Sequence, residues 1–112
     1  MIKKLKYIIN DSREFKKSKI VNMNVYRFLN YWNKINNNPY SYATVKNYKN
    51  NERDWEAVLG YVEDIKAGVR LQPPYLKKSQ DLRFFRIDGT HRAIACVLLG
   101  IDKIPVEVYL ED

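Results

Sequence analysis

The stretch that decides the fold is residues 87–93, which read Ile-Asp-Gly-Thr-His-Arg-Ala. The pattern before Gly89 is that of a strand, and the apolar spacing after it is helical. A helix that starts directly after a glycine turn has first backbone N–H groups without internal partners, beside the positive end of the helix dipole. The stretch therefore predicts an anion site with phosphate as its ligand.

Each residue of this loop has a predicted role. Gly89 supplies a turn without an obstructing side chain, Thr90 adds a hydroxyl, and His91 and Arg92 add side-chain donors from the first helical turn. A purely structural interpretation fits the same residues: Asp88 caps the helix, His91 packs on a neighbouring strand, and Arg92 pairs with an acidic surface residue. The residues alone leave both interpretations open.

Outward from the loop, hydrophobic periodicity predicts a helix over residues 54–67 and another over 91–99. Strands are expected near Tyr75, over Leu82–Ile87 and over Ile104–Leu110, with a tight turn at Ser79–Asp81. The last strand alternates between the two faces and predicts one buried face. The expected architecture is α+β, in which a small mixed sheet packs against helices in a single domain.

The first half of the chain is basic. Residues 1–50 carry a net charge of +9 and residues 51–112 a net charge of −2. Alternation predicts a strand over residues 1–9, helical spacing predicts an amphipathic helix from Val25 to Ile35, and residues 39–51 look like a polar connection. Both tryptophans, Trp32 and Trp55, fall on apolar helix faces, which favours a role as core anchors.

Composition excludes several classes of protein. The 112 residues are 46% hydrophobic and 29% charged, as in one globular domain. One cysteine and one histidine are too few for a disulfide framework or a typical zinc site, so no metal ligands are predicted. No apolar run approaches the roughly 20 residues that span a membrane, and none resembles a signal-peptide core. We expect a cytoplasmic protein without membrane insertion.

Five segments in order resemble the core of the ParB/sulfiredoxin-like superfamily. They are a helix, a Pro-apolar strand at Pro73–Leu76, the motif at Phe85–Ala95, Leu-Gly at Leu99–Gly100, and a strand that opens with Ile104–Val106. The resemblance covers about residues 52–110 and implies a nucleotide-binding core over residues 51–112. Residues 1–50 match no known pattern and are expected to pack on this core as a basic segment.

The form of the motif separates the branches of the superfamily. Sulfiredoxins have a nucleophilic cysteine where this chain has Thr90, and Cys96 lies six residues further on. Chromosome-partitioning ParB proteins carry a DNA-reading domain after the core, for which we expect no room before Asp112. The Asp-Gly-x-His-Arg form is most similar to the free-serine kinase branch. That resemblance implies a base ahead of the first core helix, at Glu52 with Asp54 and Glu56 as rivals, and an acceptor-holding aspartate at Asp88.

The expected function is therefore that of a nucleotide-dependent small-molecule phosphotransferase. Its catalytic candidates are Glu52, Asp88 and His91, its phosphate-binding candidates are Gly89–Arg92, and its cofactors are Mg²⁺ and a nucleotide such as ATP, ADP or CTP. One alternative is a nucleotide-binding regulatory module without turnover. Another is a DNA- or RNA-binding protein that uses the basic first half, although a solvated charged face explains the same residues. The basic residues concerned are Lys3, Lys4, Lys6, Arg13, Lys16, Lys17 and Lys19.

Overall fold

The computed structural model describes residues 18–35, 43–79 and 84–110. Four strands form one mixed sheet in the order β1-β4-β2-β3. β4 pairs antiparallel with β1 and parallel with β2, and β2 pairs antiparallel with β3. The elements in chain order are β1 (Ser18–Asn24), α1 (Val25–Ile35), α2 (Val45–Lys49), α3 (Glu52–Lys66), β2 (Tyr75–Lys78), β3 (Phe84–Asp88), α4 (Thr90–Leu98) and β4 (Lys103–Leu110).

The predicted α+β architecture with a small mixed sheet is confirmed. The predicted strands are present as β2, β3 and β4, and the predicted helices as α1, α3 and α4. The strand expected over residues 1–9 and most of the turn expected at Ser79–Asp81 lie outside the described residues. The Val25–Ile35 helix has the predicted bounds.

Two elements were not predicted. β1 lies within the basic segment, directly before α1, and it pairs along its whole length with β4. α2 falls inside the stretch 39–51 that looked like a polar connection, so that interpretation is wrong over Val45–Lys49. This five-residue helix forms because the Thr44 hydroxyl accepts a hydrogen bond from the Asn47 N–H at 3.1 Å and because Tyr48 is buried. The first half of the chain thus shares the sheet and the core with the second half.

One hydrophobic core joins the sheet to the helices. Phe28 of α1, Val58 of α3 and Ile94 of α4 are fully buried together with the sheet residues Leu76, Ile104 and Val106. Both tryptophans pack, partly buried, against this core, which confirms the prediction that they act as anchors. Burying such apolar surface is the main force that holds the helices on the sheet.

The predicted apolar faces are wrong at three places. The helical spacing puts Leu59 on the apolar face of α3 and Leu98 on that of α4, but Leu59 is 42% exposed and Leu98 is 40% exposed. In β4, for which one buried face was expected, Pro105 and Tyr109 on the other face are buried as well as Ile104, Val106 and Val108. The Tyr109 ring lies 5.5 Å from the Tyr75 ring, and the Lys77 ammonium lies 5.3 Å from the Tyr109 ring centre. No helix in the described parts of the chain is long and apolar enough to cross a membrane.

Candidate functional site

The loop between β3 and α4 is shaped by a glycine packed against a proline. Gly89 has a left-handed backbone with φ of +108°, which favours glycine. A Cβ atom at this position would lie 2.6 Å from the Pro74 Cβ atom, closer than van der Waals contact allows. Because Pro74 directly precedes β2, this contact fixes the start of α4 against the sheet.

No side chain caps the start of α4. Asp88, predicted as a cap in the structural interpretation, does not take that role: its Oδ1 atom accepts a hydrogen bond from the Gly89 N–H at 2.8 Å, one residue before the helix. The Gly89 carbonyl accepts from the Ala93 N–H at 2.9 Å and closes the first helical turn. The first-turn amides of α4 are therefore without the side-chain oxygen that usually satisfies them.

His91 pairs with an acidic residue of α3. Its Nε2 atom lies 2.9 Å from Asp54 Oδ1, and the side chains are 38% and 22% exposed. The Tyr48 ring of α2 lies 5.4 Å from the imidazole ring and covers one side of it. The interpretation that His91 packs on a neighbouring strand is thus wrong, because its partners are on helices.

The carboxylate beside His91 belongs to Asp54, an alternative candidate for the base, and not to Glu52, the first candidate. Glu52, predicted as the base, is the exposed first residue of α3, and no described contact joins it to the loop. Asp54 lies in the same helical turn, where its N–H donates to Asn51 Oδ1 at 3.0 Å. This position brings the first turns of α3 and α4 together, so the positive ends of two helix dipoles converge at the pair.

Arg92 is held by the loop that precedes β2. The residue is only 9% exposed, and its guanidinium donates through Nη1 to the Gln72 carbonyl. Its Nη2 atom lies 3.8 Å from Asp88 Oδ2, and the guanidinium carbon lies 6.0 Å from the Tyr61 ring centre. The guanidinium therefore ties α4 to β3 and to the loop after α3, and it borders the site from within the fold.

The remaining predicted site residues differ in how exposed they are. Thr90 is buried at the first position of α4. Asp88 is exposed at the end of β3, so its side chain is accessible to a ligand in solution. Six of the seven basic residues proposed for nucleic acid lie outside the described residues, and the seventh, Lys19, is exposed on β1. Asp54 thus pairs with His91 and Asp88 lies beside Gly89 and Arg92, whereas no described contact joins Glu52 to the loop.

Two further observations concern the thiol of Cys96 and the carboxylates as metal ligands. Burial raises the pKa of the Cys96 thiol to about 12, so it stays protonated at physiological pH and is a poor nucleophile. Among the described residues no group of three or more His, Cys, Asp or Glu side chains is placed to hold a metal ion.

Comparison with known proteins identifies no relative of this chain. A scan against protein-family models finds no match, and searches of curated proteins and of solved structures find no significant similarity. What the site can do must therefore be argued from its own geometry.

Sequence reasoning missed the partners of the loop. The spacing Asn51-x-x-Asp54 is consistent with a capped helix start, but it places both Glu52 and Asp54 in the first turn of α3 and does not choose between them. No sequence signal points to Tyr48 or to the Gln72 carbonyl, and the contact of Pro74 with Gly89 depends on tertiary packing.

Proposed function

We propose that the protein is a nucleotide-binding, ParB-like domain that acts as a small-molecule phosphotransferase. The phosphates of the nucleotide bind the first-turn amides of α4, at Gly89–Arg92. The observation that carries the proposal is the His91–Asp54 pair, with 2.9 Å between Nε2 and Oδ1, directly beside a helix start that has no side-chain cap. A proton acceptor and an anion site within one helical turn meet the two needs of phosphoryl transfer.

His91 is the proposed general base, and Asp54 positions it. In the tautomer whose Nε2–H donates to Asp54, Nδ1 has an open lone pair. Nδ1 takes the proton of the acceptor hydroxyl while the acceptor oxygen forms a bond to the terminal phosphorus. The bond from that phosphorus to its bridging oxygen breaks, and the shortened nucleotide leaves with the electron pair. The Asp54 carboxylate stabilises the imidazolium that results.

Asp88 and Arg92 complete the proposed site. Asp88, exposed at the end of β3, is the proposed residue that orients the acceptor. Arg92 acts through the loop, because its guanidinium already donates to the Gln72 carbonyl. Mg²⁺ fits as a companion of the nucleotide, since it is commonly held by one or two carboxylates together with substrate phosphates, and Asp88 is the available carboxylate. It would neutralise charge on the phosphates.

A second candidate is a nucleotide-binding regulatory module without turnover. It is favoured by the position of Glu52, which no described contact joins to the loop, and by the engagement of Arg92 inside the fold. The regulatory module would have the same phosphate site as the phosphotransferase, but it would form no phosphorylated product.

The test combines binding with turnover. Thermal shift with ATP, ADP, CTP and GTP, with and without Mg²⁺, measures binding; a nucleotide at 100 times its dissociation constant adds about 2.7 kcal/mol of stability. Turnover is then measured as phosphorylated product over a panel of hydroxyl metabolites that begins with free serine. The variants are His91→Gln, Asp54→Asn and Glu52→Gln, with Glu56→Gln as a matched control on α3.

We expect His91→Gln to keep nucleotide binding and to lose roughly 10²- to 10⁴-fold in turnover, the usual contribution of a general base. Asp54→Asn should lose less turnover than His91→Gln, whereas Glu56→Gln should behave as the wild type. Turnover that depends on Glu52 but not on His91 would return the role of base to Glu52. Binding without any product would select the regulatory module, and no nucleotide binding at all would overturn both candidates.

A further inference from the structure

A second concave feature lies between α1, α2 and α4. It is a cavity of about 360 Å³ with apolar walls that include Leu29, Val45, Ile94 and Val97. This volume is within the range of pockets that hold small molecules. Its described lining contains no acidic residue and one cation, Lys46. Ile94 follows His91 by one turn of α4, so the cavity is adjacent to the phosphate loop but has its own lining.

One buried polar side chain opens into this cavity. Asn33 is 8% exposed, and its Oδ1 atom accepts a hydrogen bond from the Ala43 N–H at 2.9 Å. Its Nδ2 group has no acceptor among the described residues, yet no fully buried polar atom there is without a partner. Nδ2 is therefore not fully buried, and the open volume that Asn33 lines lies beside this side chain. A carboxylate oxygen in the cavity can take the place of the water that such a donor otherwise binds.

We propose that this cavity is a binding site for a small carboxylate with an apolar body, such as a medium-chain alkanoate. The apolar chain lies between Leu29, Val45 and Ile94, where it is removed from water. Asn33 Nδ2 donates to a carboxylate oxygen, and the exposed Lys46 ammonium supplies the compensating charge. The lining selects an anion because it offers a donor and a cation and no described carboxylate. This inference does not depend on the proposed phosphotransferase.

The experiment compares two probes of equal chain length, octanoate and octan-1-ol, by titration of the full chain followed with ¹⁵N NMR. The Asn33 side-chain amide and the backbone amides of Ile94 and Val97 report on the cavity, and those of Thr90 and His91 report on the phosphate loop. Octanoate should bind about tenfold more tightly than octanol, since a hydrogen bond to a charged group is stronger than one to a neutral hydroxyl.

Three variants locate the contacts. Asn33→Asp keeps the acceptor for the Ala43 N–H but replaces the donor by a negative charge, so it should weaken octanoate binding at least tenfold and octanol binding less than threefold. Lys46→Gln should weaken octanoate binding about threefold to fivefold, as expected for an exposed charge. Lys49→Gln, on the same short helix but outside the lining, is the matched control and should change neither affinity.

Other outcomes overturn the proposal. Equal affinity for the two probes, or equal effects of Lys46→Gln and Lys49→Gln, would show that the cavity does not select a carboxylate. Shifts centred on Thr90 and His91 would place the anion at the phosphate loop instead. If Asn33→Asp does not fold, Val97→Phe is the deciding variant. Its larger side chain fills the cavity, so the octanoate-induced shifts at Asn33 must disappear. Their persistence in that variant would refute the site.

Discussion

The four helices in the described part of the chain begin in two different ways. The three that come first each have a side-chain cap: Asn24 accepts from the Tyr26 N–H at 2.9 Å, Thr44 accepts from the Asn47 N–H at 3.1 Å, and Asn51 accepts from the Asp54 N–H at 3.0 Å. The N-cap residue of α4 is Gly89, which has no side chain that could cap the helix. The uncapped start is the one that carries the candidate site.

The contrast shows that the described helix starts are stabilised in two different ways, by a local side-chain cap or by tertiary contacts. A side-chain cap satisfies one of the orphan amides of a helix start through a local contact, so it depends little on the rest of the protein. The start of α4 is instead held by tertiary contacts, namely the packing of Gly89 on Pro74 and the hydrogen bond from Arg92 to the Gln72 carbonyl. The start of α4 is therefore expected to be more sensitive to substitutions elsewhere in the fold.

The largest effect is expected at Gly89. Gly89→Ala places a methyl group 2.6 Å from the Pro74 Cβ atom in a backbone with φ of +108°. Strain and overpacking each cost about 1 to 3 kcal/mol, so unfolding in urea should show a loss of about 3 kcal/mol or more. Gly60→Ala is the control, because a Cβ atom there meets nothing within 4 Å and alanine favours a helix interior by roughly 0.5 to 1 kcal/mol. A mild Gly89→Ala phenotype would mean that Pro74 does not fix the start of α4.

Arg92 comes next. Arg92→Met keeps most of the apolar stem but leaves the Gln72 carbonyl without its donor, which should lower the free energy of unfolding by about 2 to 3 kcal/mol. Arg53→Met, an exposed arginine in the first turn of α3, should change it by less than about 0.5 kcal/mol. Similar losses in the two variants would break the contrast between the helix starts.

The body of α4 gives a pH-dependent prediction. Burial raises the pKa of Cys96 from 9.0 to about 12, so above pH 9 the unfolded chain ionises this thiol and the folded chain does not. The contribution of the thiol to stability therefore falls as pH rises from 9 towards 12. Relative to Cys96→Ala, the wild type should lose about 1.4 kcal/mol between pH 7 and pH 10. A pH-independent difference between the two proteins would show that the thiol is exposed to water.

The smallest effect is expected at the capped start of α3. Asn51→Ala removes the acceptor for the Asp54 N–H and should cost about 1 kcal/mol, whereas Asn51→Asp keeps an acceptor and should cost almost nothing. Chemical denaturation of both variants checks this. A loss as large as that of Gly89→Ala would show that the two helix starts depend on the fold to the same degree.

Much of the architecture could be predicted because its periodicity is strong. α1 and α3 carry apolar residues at helical spacing, and β4 alternates over its length. β1 was missed because its place in the sheet depends on β4, and no local signal in residues 18–24 reports that partner. α2 was missed because five residues are too few for a helical period, and its capping and the burial of Tyr48 become visible only in three dimensions.

For the site, the sequence predicts the loop but not its partners. The glycine turn and the helix start follow from residues 87–93. The choice between Glu52 and Asp54 depends on the rotation of α3 against α4, which places Asp54 rather than Glu52 beside His91. The role of Arg92 depends on a backbone carbonyl of a loop, and carbonyl directions cannot be obtained from residue types.

The pairing of β1 with β4 has a consequence for the order of events during synthesis. The Ser18 hydroxyl donates to Glu107 across 89 positions of the chain, at a distance of 2.8 Å. At synthesis rates of about 5 to 20 residues per second, β1 leaves the ribosome several seconds before its partner strand exists. During that interval its hydrogen-bonding edge has no native neighbour, and β2 lacks the parallel strand that separates it from β1. The sheet can close only after translation of β4, so folding of this chain is expected to be a late, cooperative event in which the last strand joins the two halves.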